Sequence, residues 1–128
     1  MQIVVAGALI ADGALLVAQR HRPPELAGLW ELPGGKVVQG ETENQALSRE
    51  LREELGVQVE VGDRLGADVP SGSVILRAYL VTLIGGELQP HDHAALRWVS
   101  AAELEDLPWV PADRAWLPAL RERLDESR

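Results

Sequence analysis

Apolar residues recur along this chain at spacings that switch between two and four, and the switches mark out its elements. Residues 3–10 and 14–20 are rich in Val, Leu and Ile, and Asp12-Gly13 between them is a tight-turn signal, so the pattern predicts two antiparallel strands. Residues 21–29, with Pro23-Pro24 and Gly28, read as a loop. Leu29-Trp30-Glu31-Leu32 reads as a short strand ending at Pro33-Gly34-Gly35. The period then changes. Within residues 42–55, Leu47, Leu51 and Leu55 recur at four-residue spacing, one face of a helix. Thr42 with Gln45 makes a capping-box pattern, and Gly56 supplies the stop. Residues 57–65 and 74–84 read as strands, with Gly85-Gly86 turning out of the second, and residues 96–99 as a further strand. Ser100 and Glu103 form a second capping-box pattern, opening a short helix. Residues 111–124 read as helical, with Pro118 forcing a kink or a late start. Strands with helices between and after them predict an α/β protein, a sheet packed between helices.

Composition narrows the class. At 128 residues the chain is expected to form one domain over residues 1–128. Its apolar runs fall well short of the roughly 20 residues of a membrane span. The apolar N-terminus lacks a basic lead and is broken by Asp12-Gly13, so a secretory signal is not expected either. With no cysteine, disulfides and thiolate metal sites are excluded, which fits a cytoplasmic enzyme. The net charge of −8 argues against a nucleic-acid polymer as partner. It does not oppose a phosphorylated small molecule whose charge is neutralised locally by a metal ion and a few arginines. On the outer faces the excess acid serves solubility.

The candidate chemistry lies in residues 35–57, GKVVQGETENQALSRELREELGV. On a helix Glu50 and Glu54 share a face, with Glu53 beside them. Carboxylates this close repel one another unless a cation sits among them, and hard oxygen ligands suit Mg²⁺, with Mn²⁺ as substitute, rather than zinc. Arg49, one turn before Glu53, can hold a carboxylate by a bidentate pair. An E-L-R-E-E-L run by itself is ordinary solvated helix. The Pro33-Gly34-Gly35 turn and the complete spacing around the run point to function instead. Phosphate suits such a cluster, because divalent ions bridge its oxygens and lower the pKa of a bound water.

Gly35, Glu41, Arg49-Glu50-Leu51, Glu53-Glu54, Gly56 and Val57 complete the pattern G-x5-E-x7-R-E-U-x-E-E-x-G-U, U being aliphatic. Chance produces such a match on the order of once in a billion starting positions. The pattern resembles the Nudix box, and the chain looks like a Nudix hydrolase of the MutT type. The resemblance implies an α/β/α sandwich around a mixed sheet. It implies metal ligation by Glu50 and Glu54, with Glu53 ligating or assisting and the Gly34 carbonyl adding a ligand. Gly35 and Glu41 are then supporting residues, Glu41 joining the loop to the helix. The implied reaction is attack by water on the β-phosphorus of a nucleoside triphosphate, giving monophosphate and pyrophosphate.

Outside the box the candidates are fewer. Arg20 matches a phosphate-contacting arginine of MutT-type enzymes; its other reading is a surface residue ending a strand. Arg22 and Lys36 are further cations for substrate. Asp92 lies six residues before Trp98, where MutT-type enzymes carry a metal-ligating glutamate; the alternative is a turn-forming role. His91 and His93 beside it lack the further nitrogen or sulfur ligands of a zinc site and read as loop or supporting residues. Asp113, in Trp109-Val110-Pro111-Ala112-Asp113, matches the position of a base-reading asparagine. An ionised aspartate only accepts hydrogen bonds, which favours base edges that donate, such as the N4 amino group of cytosine or the N1–H and N2 edge of guanine. The alternative is a helix N-cap. Trp30, Trp98, Trp109 and Trp116 can stack on a base; with no phenylalanine in the chain, most are expected in the core.

The tail, the His-Asp-His-x-x-Leu-x-Trp segment, VVAGALI and RPPELAGLWELPGGK together resemble the CTP pyrophosphohydrolase branch of MutT-like enzymes. The expected function is therefore an Mg²⁺-dependent nucleoside triphosphate pyrophosphohydrolase, monomer or homodimer, in nucleotide-pool sanitation. The implied substrates are (d)CTP and 5-methyl-dCTP, with 8-oxo-dGTP as an alternative or additional one. A strict 8-oxo-dGTP diphosphatase and an ADP-ribose or dinucleoside polyphosphate hydrolase share the same box, although no companion signature for the latter two follows downstream. A catalytically silent nucleotide-binding module is the rival from another class; no box glutamate is missing here, which weighs against it.

Overall fold

The computed structural model describes residues 1–126. Strand β1 (Gln2–Ala11) runs through the middle of a mixed sheet. It turns at Asp12-Gly13 into β2 (Ala14–Gln19), pairing Ile10 with Leu15. β2 carries two further antiparallel partners, β3 (Trp30–Glu31) and, late in the chain, β7 (Ala95–Val99). On the edge it shares with β2, β1 also pairs antiparallel with β4 (Gly34–Lys36), and along its opposite edge it pairs parallel with β6 (Val74–Gly86), whose hairpin partner is β5 (Val57–Ser71).

The alternation along β1 divides the core in two. Val5 and Leu9 face helix α1 (Glu43–Leu55), packing with Leu47, Leu51 and Leu55. Ala6 and Ala8 face the opposite layer, where Trp116, Leu120 and Leu124 pack with Leu104. That layer consists of two 3-10 turns, Ala101–Asp106 and Pro111–Trp116, followed by α2 (Leu117–Glu126). The result is the predicted α/β/α arrangement. Each fully buried leucine of α1 contributes about 1.5–3 kcal/mol of transfer free energy, which fixes the helix against the sheet.

Helix α1 begins and ends where the spacing predicts. The Thr42 hydroxyl accepts from the Gln45 N–H at 3.1 Å, and Gln45 Oε1 accepts from the Thr42 N–H at 2.9 Å. Gly56 closes the helix at φ 72°, a left-handed conformation that costs glycine little.

Two expectations change, and two are met in 3-10 form. The Pro33-Gly34-Gly35 turn does not end strand structure, because Gly34–Lys36 pairs with Val4–Ala6 of β1. β5 runs on to Ser71 instead of stopping at Leu65, through register shifts that let a polar stretch stay paired with β6. The short helix expected after Ser100 forms as a 3-10 helix, with Glu103 accepting from the Ser100 N–H at 2.9 Å. Residues 111–116 are helical but 3-10, and α2 makes the late start that Pro118 predicted, with the proline in its first turn where a missing N–H costs nothing. Three tryptophans are core and Trp98 is exposed. No described helix is long and apolar enough to cross a membrane.

Candidate active site

Two adjoining cavities open beside the strands, one against α1 and the other against the 3-10 turn Pro111–Trp116. The larger, about 430 Å³, is an acidic cleft lined by Glu50, Glu53 and Glu54 from α1, Glu31 from β3, and Asp92 from the loop before β7. Arg20 and Arg22 face them, and Gly34 forms part of the wall. The second, about 230 Å³, has apolar walls from Val4, Ala6, Leu32, Leu76 and Trp116, with Asp113 and Lys36 as polar groups. Arg20, Glu31 and Gly34 line both.

Local structure explains how the acidic side chains come together. The helix presents Glu50 and Glu54 one turn apart. The loop after β6 then folds over the C-terminus of α1 and satisfies its free carbonyls: the Gln89 N–H donates to Leu55 O at 2.9 Å, and the His91 N–H to Glu54 O at 3.0 Å. This docking delivers Asp92 and His93 to the cleft. Of the predicted residues outside the helix, Arg20, Arg22, Gly34 and Asp92 therefore line the same cavity as the box glutamates. Lys36 does not; it borders the apolar pocket, and its carbonyl accepts from Arg49 Nη2 at 3.1 Å.

Arg49 organises the loop and helix together, though not with the partner expected. Its bidentate partner is Glu41, through Nε at 2.6 Å and Nη2 at 3.0 Å, whereas Glu53 receives a single contact at 3.3 Å. Geometry decides this: Glu41 meets the guanidinium fork edge-on from the loop, while Glu53 approaches only along the helix and stays largely exposed. Nη1 also donates to Glu50 at 2.9 Å. The hydrogen bond from Arg49, followed by the Val38 N–H, holds the Glu41 carboxyl below its ordinary pKa. Arg49 is itself pushed up in turn.

The remaining carboxylates are in an unfavourable state. Burial, and then the charges of Glu50, Glu31 and Asp92, push Glu54 up to about 9. Burial also raises Glu50, against the opposing pull of Arg49. Glu54 Oε2 is buried with no hydrogen-bond partner, a costly condition unless the group is protonated or meets a cation. Gly35 makes room for the cluster, since Glu50 packs directly against its Cα. A divalent cation therefore fits the donor set of Glu50, Glu53, Glu54, Asp92 and the Gly34 carbonyl. Among the described residues no three acidic or histidine side chains form a ready-made ligand set; Glu50 and Glu53 are drawn towards Arg49 instead.

Two features escape the sequence reading. Glu31 accepts from Arg20 Nη1 through both carboxylate oxygens at 3.1 Å and lies 2.9 Å from His93 Nε2. Strand alternation could have found it: Trp30 and Leu32 point into the core, so Glu31 must face the other way, beside Arg20. Asp113 departs further from expectation. It does not cap a helix. Val110 holds the N-cap position, and Asp113 Oδ2 accepts from the Leu32 N–H at 2.9 Å. Nor is it simply ionised, since burial pushes it up to about 7, against the lowering effect of the Leu32 hydrogen bond. At neutral pH its carboxyl is present as donor and as acceptor.

Two glycines packed against β1, followed by a helix that carries a carboxylate cluster, define a class, and comparison with known proteins identifies it. The NUDIX domain family model matches residues 1–120, and the chain belongs to the Nudix hydrolases. It is 60% identical to a Mycobacterium tuberculosis protein named "Putative 8-oxo-dGTP diphosphatase 2", over 98% of this chain and 92% of that one. It is 44% identical to the CTP pyrophosphohydrolase of Escherichia coli, over 91% and 88% of the two chains. Among solved structures, the E. coli ORF135 protein superimposes with a TM-score of 0.81 at 40% identity, covering 100% of this chain and 93% of the other. A MutT Nudix hydrolase from Burkholderia pseudomallei gives 0.76 at 32% identity, covering 92% and 96%.

Proposed function

We propose that this protein is an Mg²⁺-dependent nucleoside triphosphate pyrophosphohydrolase that acts on (d)CTP, 5-methyl-dCTP and 8-oxo-dGTP, releasing the monophosphate and pyrophosphate. The observation that carries the reading is the junction of the two cavities. An acidic cleft suited to a cation and polyphosphate adjoins an apolar pocket with one buried carboxyl, and Arg20, Glu31 and Gly34 belong to both. A nucleotide has the same two-part chemistry. The names of the relatives, 8-oxo-dGTP diphosphatase and CTP pyrophosphohydrolase, support the substrate class.

In this reading Glu50, Glu53, Glu54, Asp92 and the Gly34 carbonyl hold Mg²⁺ or Mn²⁺. When bound, the ion neutralises phosphate charge and lowers the pKa of water. Arg20 and Arg22 stand at the mouth of the cleft to meet phosphate oxygens. Arg49 and Glu41 keep the glutamate-bearing helix registered on its loop. Leu32, Leu76 and Trp116 exclude water around the base, and Asp113 reads its polar edge. Lys36 borders that pocket and would approach the sugar or base, not the phosphates.

Oxidised guanine stands beside cytosine because of Asp113. A carboxyl held at about 7 can accept from the cytosine amino group or the N1–H of guanine, and can donate when neutral. The choice between bases then rests on the shape of the apolar pocket. The reading is tested by incubating the protein and Mg²⁺ with canonical, methylated and oxidised triphosphates, ADP-ribose and dinucleoside polyphosphates, and resolving the products. Monophosphate and pyrophosphate from cytidine or 8-oxo-guanosine triphosphates support it. Turnover of ADP-ribose or dinucleoside polyphosphates in their place contradicts it.

A further inference from the structure

Glu31 and His93 lie at the centre of the site without belonging to the box. His93 is almost wholly buried, and its Nε2 lies 2.9 Å from Glu31 Oε2 and 3.8 Å from Glu54 Oε1. Its Nδ1 is buried and has no partner. A hydrogen on Nδ1 would be an orphaned donor, so the ring hydrogen belongs on Nε2, directed at the nearer carboxylate, Glu31. Glu31 in turn accepts twice from Arg20 Nη1 at 3.1 Å. The Arg20 Nε–H is occupied by Arg22 O at 2.9 Å. Among the described residues nothing binds Arg20 Nη2, so two N–H groups remain free where the two cavities meet.

The backbone holds the histidine in place from both sides. Upstream, the His91 N–H is tied to the end of α1 at Glu54 O; downstream, the Ala94 N–H is tied to Gln19 O at 2.8 Å, next to Arg20 itself. Three separate segments, β2, β3 and the loop before β7, thus converge on one carboxylate. We propose that His93 and Glu31 form a buried brace that sets the guanidinium of Arg20 in place for a nucleotide phosphate, which makes both of them positioning residues for substrate binding.

The physical reason is preorganisation. A long side chain that must surrender its rotamer freedom on meeting phosphate weakens binding by that cost; one already pinned on two of its three nitrogens does not. A brace also explains why a carboxylate, Glu31, is tolerated in a cleft meant for phosphate. Its charge is offset by the hydrogen bonds from Arg20 and His93.

The substrate role of the brace rests on the proposed nucleotide reading, but its geometry can be tested without it. In nucleotide-free protein the Arg20 Nε–H resonance, assigned through Arg20→Lys, reports whether the guanidinium is held. His93→Phe is expected to broaden it and speed its exchange with water. His93→Gln, whose amide can still donate to Glu31, is expected to restore it. With Mg²⁺ and the best triphosphate of the panel, His93→Phe should raise KM about tenfold while kcat changes less than about threefold, and Glu31→Gln should move KM in the same direction. Mn²⁺ binding without nucleotide should be unaltered in His93→Phe. An unchanged Arg20 resonance, or an unchanged KM in an active enzyme, overturns the brace. So does a loss of Mn²⁺ affinity with KM untouched, which would assign His93 to Glu54. A wild-type protein that hydrolyses nothing in the panel instead sinks the proposed function, and with it the brace's role towards phosphate.

Discussion

The carboxylate of Glu50 occupies the space where a side chain at Gly35 would begin. A Cβ built on Gly35 would lie 1.7 Å from Glu50 Oε2 and 2.3 Å from its Cδ. The neighbouring glycine is constrained differently, because a Cβ on Gly34 would meet the backbone oxygen of Val5 at 1.9 Å. Side chains can rotate away and backbone cannot. Gly35→Ala is therefore expected to evict Glu50 from the cluster, lowering Mn²⁺ affinity at least tenfold with Tm little altered. Gly34→Ala must push β4 off β1 and should lower stability by roughly 2–3 kcal/mol, the scale of overpacking a tight contact. Calorimetric titration and thermal denaturation of both variants check this. Equal Tm losses would contradict the distinction.

Metal binding should release a proton. Glu54 is held at about 9 in the metal-free protein, so it is protonated at neutral pH, and a cation must displace that proton. Apparent Mn²⁺ affinity is expected to rise by up to about tenfold per pH unit between roughly pH 6 and 8. Titration in buffers of different ionisation enthalpy reads the protons directly. Glu54→Gln should bind more weakly and release fewer; a wild type that releases none would place the cation away from Glu54.

Asp113 gives the fold a pH dependence of known sign. Its folded pKa, about 7, lies above the unfolded carboxylate value, so the folded state holds the proton more tightly. The stabilising contribution is complete below the unfolded value of about 3.9 and is lost as pH rises through about 7. At roughly 1.4 kcal/mol per pKa unit the loss is on the order of 4 kcal/mol. Asp113→Asn keeps an acceptor for the Leu32 N–H and cannot ionise. Measured without metal, its Tm relative to wild type should be higher at pH 8 than at pH 5. A difference independent of pH would show that Asp113 is solvated in the folded protein.

The same substitution bears on the base. An asparagine offers a fixed donor and a fixed acceptor where the carboxyl offers either. Asp113→Asn is expected to shift kcat/KM from cytidine towards 8-oxo-guanosine triphosphate by roughly 3- to 10-fold, the scale of one altered hydrogen bond. An unchanged ratio would mean that the base is read elsewhere in the pocket.

What the sequence made legible was local. The Thr42–Gln45 box, the leucine spacing and Gly56 lie within one helix, and short-range rules place each of them. The Arg49–Glu41 pairing also spans one loop, yet the expected partner was Glu53, because helical spacing says which residues are near but not which meets a guanidinium edge-on. The state of Asp113 was out of reach. It depends on a backbone N–H 81 positions away and on water excluded by a separate layer of the fold. Glu31 and His93, 62 positions apart, meet only because the loop before β7 caps α1, an interaction with no sequence pattern of its own. The extension of β5 to Ser71 was hidden by its polar composition, since pairing with β6 and not burial keeps it extended.

The most direct measurement is a crystal structure of the protein with Mn²⁺ and a non-hydrolysable cytidine triphosphate analogue, with the metal located by anomalous scattering. Metal density is expected among Glu50, Glu54 and the Gly34 carbonyl, the phosphates beside Arg20, and the base in the pocket of Leu32, Leu76, Trp116 and Asp113. Metal and nucleotide bound together at any other surface, with the acidic cleft holding only water, would contradict that placement.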